Sequence, residues 1–134
     1  MRNLEVDHMP ADTVVHHRWS DVQSETITPF IARRYITGDR VTVARFELKQ
    51  NGVVPRHSHE QEQISYVVSG RLKFLINGQE LVVGAGEVLQ IPSWVEHEVH
   101  VLEDTQVLDV FSPVRQDWLD KTDDYFTGAP RTQR

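Results

Sequence analysis

The sequence has no cysteine among its 134 residues, which removes disulfide scaffolds, cysteine zinc modules, iron–sulfur centres and thiol nucleophiles together. Long apolar runs are also missing. The richest stretch, 81–89 (LVVGAGEVL), carries two glycines and a glutamate and is far shorter than a membrane span. Basic residues are in deficit: fourteen Lys and Arg against twenty Asp and Glu leave a net charge of −6 with neutral histidines. That is the wrong sign for a protein that holds duplexes by neutralising phosphates. Neither nucleic acid nor a membrane is expected as a partner. The opening MRNLEVDHMP sets Glu5 and Asp7 behind a lone Arg2 with no apolar run following. This is unlike a secretory signal, and a cytoplasmic location is expected.

What is present reads as one folded domain. A hydrophobic fraction of 39% beside a charged fraction of 25% is the balance of a globular chain rather than a disordered one. The length suits a single core. Residues 1–25 form an expected leading arm without clear periodicity, residues 26–119 a β-barrel, and residues 120–134 a tail. Within the central part, β-rich runs occupy 32–38, 40–49, 63–70, 71–76, 80–83, 87–91, 97–102 and 106–111, parted by Gly, Asn, Asp, Pro and Ser. Short strands at such spacing, with no ten-residue helical pattern between them, predict an all-β barrel or sandwich. Asn77-Gly78 between two alternating runs predicts a type I′ hairpin, whose two central residues need positive φ. No internal repeat is present, so one barrel is expected.

Strand parity assigns faces. Leu72, Phe74 and Ile76 share one side of RLKFLI and point to the core, away from Arg71 and Lys73. In QVLDVF the shared set is Val107, Asp109 and Phe111, which puts a carboxylate on the core face. Beyond it, Ser112-Pro113 reads as a break, and Trp118, Leu119, Tyr125 and Phe126 predict short helical turns packing aromatics on the outside of the barrel.

The chemistry concentrates in 52–70 (GVVPRHSHEQEQISYVVSG). His57 and His59 are two apart, so an extended chain delivers both imidazoles to one face. Gln63 has the same parity and offers a carbonyl oxygen, whereas Glu62 points to the opposite face. His97 follows Pro92 at the start of another predicted strand. Three imidazoles and one oxygen suit a divalent transition metal, one of Zn, Ni, Fe, Mn or Co, with positions left for water or substrate. His8, His16, His17 and His100 lack such company, and the plainer reading for them is a solvated or hydrogen-bonded side chain.

Residues 52–97 resemble the cupin superfamily. The first motif stands here as Gly52, His57-Ser58-His59, Gln63 and Gly70, and the second as Gly86, Pro92 and His97. The resemblance implies a single cupin jelly-roll β-barrel that holds a divalent metal on two histidines and a carboxylate of the first motif and one histidine of the second. Three positions depart from the pattern: Gln63 replaces the usual glutamate, Trp94 stands where glycine is usual, and Val101 where asparagine is common. A neutral glutamine removes one negative charge from the ligand set. That weakens the hold on the ion and leaves more of its charge for an anionic ligand.

A narrower resemblance extends over residues 30–119. His57, His59, Glu62 and Gln63, with the ending DVFSPVRQDWL (109–119), are similar to the KdgF-like cupins of pectin and alginate degradation, which open 4,5-unsaturated uronates to linear keto acids. The resemblance implies that Asp109, Phe111 and Arg115 line the pocket facing the metal. Asp109 would move a proton, Arg115 would offer a planar fork to a substrate carboxylate, and Phe111 would pack against the sugar face. A plainer reading makes Asp109 and Arg115 an ion pair that pins the C-terminal segment. Gln61, Tyr66, Phe74 and Trp94 are further candidates for shaping the pocket, Phe74 being equally a core residue. The expectation is therefore a metal-dependent isomerase-type enzyme with a small anionic substrate. The alternatives are a metal-dependent dioxygenase and a non-catalytic ligand-binding cupin. A homodimer formed by pairing of edge strands is also expected.

Overall fold

The computed structural model describes residues 13–126. After a single 3-10 turn at Trp19–Asp21 come β1 (Glu25–Thr28), β2 (Ile31–Thr37), β3 (Thr42–Leu48), β4 (Val53–His57) and β5 (Glu62–Ser69). Then follow β6 (Arg71–Ile76), β7 (Gln79–Gly84), β8 (Val88–Ile91), β9 (His97–Val101), β10 (Thr105–Ser112) and the short helix α1 (Gln116–Asp120). The strands form two antiparallel sheets, one of six in the order β1-β2-β3-β10-β5-β8 and one of four in the order β4-β9-β6-β7. Their inner faces enclose one core, the arrangement of a jelly roll. No described helix is long and apolar enough to cross a membrane.

Period-two alternation makes the strands. In β3 the inward residues are Thr42, Ala44, Phe46 and Leu48, and in β10 they are Thr105, Val107, Asp109 and Phe111. The Asn77-Gly78 hairpin forms as expected, with φ of 54° and 76° and Ile76 opposite Gln79. Two strands lie outside the expected runs. β1 is only four residues long, and β4 contains Pro55 and Arg56, which interrupt its alternation.

The inward rows carry a polarity gradient along the barrel. At one end β5 supplies Gln63 and Ser65, β9 supplies His97, β10 supplies Asp109 and β3 supplies Thr42, all buried. Toward the other end the same strands continue into Val67, Val99, Val101, Val107, Phe46 and Leu48. Because neighbouring strands run antiparallel, the polar ends of all these rows meet at one mouth.

The C-terminal aromatics depart from expectation. Trp118 is fully buried and Phe126 is 6% exposed. Trp118 packs edge-on to Phe111 and Phe46, and Phe126 lies 6.0 Å from Phe46. The segment after α1 therefore turns back across the barrel mouth instead of covering the outer wall. Lys121, in the left-handed conformation (φ 60°), makes that reversal.

Candidate metal centre at the barrel mouth

His57 leaves β4, His59 sits in the loop to β5, and His97 opens β9 directly opposite His57. One ring nitrogen from each lies within 4.8 Å of the others. Backbone carbonyls set the tautomers. Nδ1 of His57 meets Pro55 O at 2.8 Å, Nδ1 of His59 meets Gln61 O at 3.0 Å, and Nδ1 of His97 meets Val95 O at 2.9 Å. A carbonyl accepts only, so each Nδ1 carries the hydrogen and each Nε2 is left as a lone pair, the tautomer a metal ligand needs. Burial holds the rings neutral. His57 is lowered to about 3 by burial and then by His97, and His59 to about 4 by burial and then by Arg115. His97 is likewise lowered by burial.

Two observations show that a cation fits here. Nε2 of His97 is buried without a hydrogen-bond partner. Nε2 of His59 stands 3.1 Å from Oε1 of Gln63, although its hydrogen is already committed to Gln61. An imidazole nitrogen and an amide oxygen are ligand types that divalent transition ions accept, so an ion held by both would satisfy the two lone pairs together.

Behind Gln63 runs a buried relay. Its Nε2 donates to Ser65 Oγ at 2.9 Å, and Ser65 stands directly opposite Asp109 across the strand pair. Oδ1 of Asp109 is buried without a hydrogen-bond partner. Burial pushes the Asp109 carboxyl up to about 6, an effect that Ser65 and Arg115 only partly offset. The group is thus poised near neutrality.

Arg115 is buried at the same mouth with its guanidinium over Phe111 at 4.6 Å and Trp118 at 4.4 Å. Its fork does not go to Asp109. Nε and Nη2 donate to Asp117 at 3.0 and 2.7 Å, and Nη2 also to the Tyr125 hydroxyl at 3.1 Å. Among the described residues the direct Asp109–Arg115 ion pair does not form, because Asp117, two residues on, presents both carboxylate oxygens to one edge of the guanidinium.

His57, Gln63, His97, Asp109, Phe111, Arg115 and Tyr125 line one cavity of about 40 Å³, whose inner wall is apolar and includes Phe74, Leu72 and Val107. His59 meets Phe111 edge-on beside it. Gln61 donates to Val114 O instead of lining the cavity. Tyr66 faces outward, 41% exposed, and Trp94 is 64% exposed. Trp94 takes the left-handed conformation (φ 66°) that explains a glycine preference at that position. Its N–H donates to His59 O at 2.9 Å, and the Ser93 hydroxyl to Glu60 O, so the two motif loops are clamped together. His100 bonds Glu98 away from the centre, His16 and His17 are exposed, and His8 lies outside the described residues. Ser65 and Tyr125 escaped the sequence reading. The parity of Ser65 with Gln63 was a usable signal; Tyr125 had none, since long-range contacts place it.

Three tautomer-fixed imidazoles at the mouth of a jelly roll define a small β-barrel with a histidine group that could hold a metal ion. The profile of the cupin domain matches residues 44–111, and the chain belongs to the cupin family. It is 30% identical over 92 residues to the pectin degradation protein KdgF of Dickeya dadantii, covering 66% of this chain and 84% of that protein. The structure of KdgF from Halomonas sp. superposes with a TM-score of 0.69 at 26% identity, over 74% of this chain and 94% of that one. The polyketide cyclase RemF from Streptomyces resistomycificus does so with a TM-score of 0.65 at 26% identity, over 75% and 80%.

Proposed function

We propose that this chain is a metal-dependent isomerase-type enzyme that opens 4,5-unsaturated uronate monosaccharides to linear keto acids, with one divalent transition metal on His57, His59, Gln63 and His97. The observation that carries the reading is Asp109, a buried carboxyl on the cavity wall raised to about 6 by burial, facing Ser65, which accepts from Gln63. Likeness to the KdgF proteins names the substrate class.

The bound ion supplies Lewis acidity toward a substrate oxygen. The chain's own residues do the rest. Asp109 as carboxylate takes the proton of the anomeric hydroxyl; the C1–O(ring) bond breaks with its electron pair left on the ring oxygen, giving an aldehyde and an enolate. As acid it returns that one proton to C4, so the enolate becomes a ketone and the reaction balances as an isomerisation. Arg115 supplies the cation for the substrate carboxylate, and Phe111 buttresses His59 and Arg115.

Conversion to the linear keto acid removes the conjugated double bond, so ultraviolet absorbance on 4,5-unsaturated galacturonate tests the proposal. Metal-replete protein should accelerate the loss, chelated protein should not, and Asp109→Asn should fall toward the uncatalysed rate. Equal traces with replete and chelated protein would sink it.

The apolar inner wall favours a second reading, a substrate with an apolar ring body, in line with the likeness to the polyketide cyclase. Binding of a phenolic ketone to metal-loaded protein that ignores the uronate would decide for it. The active form is proposed to be a homodimer. Tyr66, Val68 and Val88, 41%, 43% and 58% exposed, give the outer face beside the edge strand β8 an apolar character. A concentration-independent sedimentation mass of one chain would refute that.

A further inference from the structure

The cavity beside the centre is about 40 Å³. Pockets for ring-sized ligands run to roughly 300 Å³ or more, so no sugar ring fits while the walls stay in place. What takes up the rest of the mouth is the chain itself. The ring of Tyr125 stacks on His57, with centroids 4.0 Å apart and planes 15° from parallel. Its hydroxyl accepts from Arg115 Nη2 at 3.1 Å and from Trp118 Nε1 at 3.2 Å. Phe126 packs on its other side, 4.2 Å away.

We infer that Tyr125 is the size-selecting residue of this centre: in place it admits only small ligands, and a ring-sized substrate enters by displacing it. The contacts of Tyr125 are ones a substrate can replace. A carboxylate takes over the Arg115 donor, and a sugar or aromatic face takes over the surface of His57. The segment is fastened elsewhere, so the displacement stays local. Asp123 pairs with the buried Arg33 at 3.2 Å, Arg33 with Glu25 at 2.8 Å, and Lys121 with Glu25 at 3.0 Å. The guanidinium of Arg33 also lies 4.2 Å over the ring of Trp118. Residues 113–126 lie outside the matched cupin domain of 44–111. This inference rests on the reading of the histidines as a metal centre.

The test loads the full chain with cobalt(II) and follows the visible spectrum during titration with acetate, benzoate and galacturonate. Tyr125→Ala should tighten benzoate and galacturonate by about tenfold or more while changing acetate by less than about twofold. Tyr125→Phe keeps the ring and should keep the size ranking. Asp123→Asn loosens the fastening without touching the cavity, and should shift the three ligands in the same order as Tyr125→Ala. It also serves if that variant fails to fold. Parallel changes for all three ligands, or none, overturn the inference alone. No cobalt spectrum in the parent chain overturns the metal reading and the inference with it.

Discussion

Nε2 of His59 and Oε1 of Gln63 face each other at 3.1 Å while Nδ1 of His59 is already hydrogen-bonded to Gln61 O. A cation bound between them would satisfy both lone pairs at once. A carboxylate at position 63 would add a full negative charge at that oxygen, so Gln63→Glu should tighten divalent binding by about tenfold. Competition against a calibrated chelator measures this, and an unchanged affinity would place Gln63 outside the ligand set.

Asp109 gives the metal-free protein a pH signature. Its carboxyl is raised from 3.8 to about 6 on folding, so the folded state holds the proton more tightly than the unfolded one. The associated stability is fully present below pH 4 and is lost as pH rises through 6. At about 1.4 kcal/mol per pH unit the loss is on the order of 3 kcal/mol. Asp109→Asn should therefore be more stable than the parent by that order at pH 7.5 and equal to it near pH 3.5. Denaturant melts at the two pH values check the difference. The histidines tilt stability the other way, since their folded values lie below the ordinary 6.5, but that tilt is common to both proteins and cancels.

Gly70 joins β5 to β6 at φ 93°, and a Cβ there would run into Thr105 Oγ1 and the carbonyl of Asp104. Both atoms belong to the start of β10 and its approach, with Thr105 Oγ1 accepting from Arg71 N at 3.1 Å. Gly70→Ala should cost more than about 2 kcal/mol, from backbone strain and overpacking together. Thermal unfolding is the readout.

Trp94 holds a left-handed conformation with its side chain 64% exposed. Strain of that kind costs about 1–2 kcal/mol in an L-residue, and little burial offsets it. Trp94→Gly should raise stability by about 1 kcal/mol without altering metal content. A loss of stability would mean that the indole has packing partners of its own.

The core of the site was legible because it is local. His57, His59 and Gln63 follow period-two parity, Asp109 shares the face of Val107 and Phe111, and the Asn77-Gly78 turn announces its hairpin. Pro55 and Arg56 hid β4 by interrupting that parity. Tyr125 was illegible for a different reason. Its place is set by ion pairs that span 90 residues or more, Asp123 to Arg33 and Lys121 to Glu25. No local pattern near the C-terminus encodes which surface those residues meet. The partner of Arg115 was likewise open in the sequence, and geometry decided for Asp117 over Asp109.

One ion per chain at the three imidazoles is what this centre is built to hold if Nε2 of His57, His59 and His97 are its ligands. Native mass spectrometry of the full chain after exposure to zinc and removal of the excess measures it directly. One zinc per chain in the parent and none in His97→Ala, with both proteins folded, is the predicted result. A parent chain that carries no ion, or a His97→Ala chain that retains one, contradicts it.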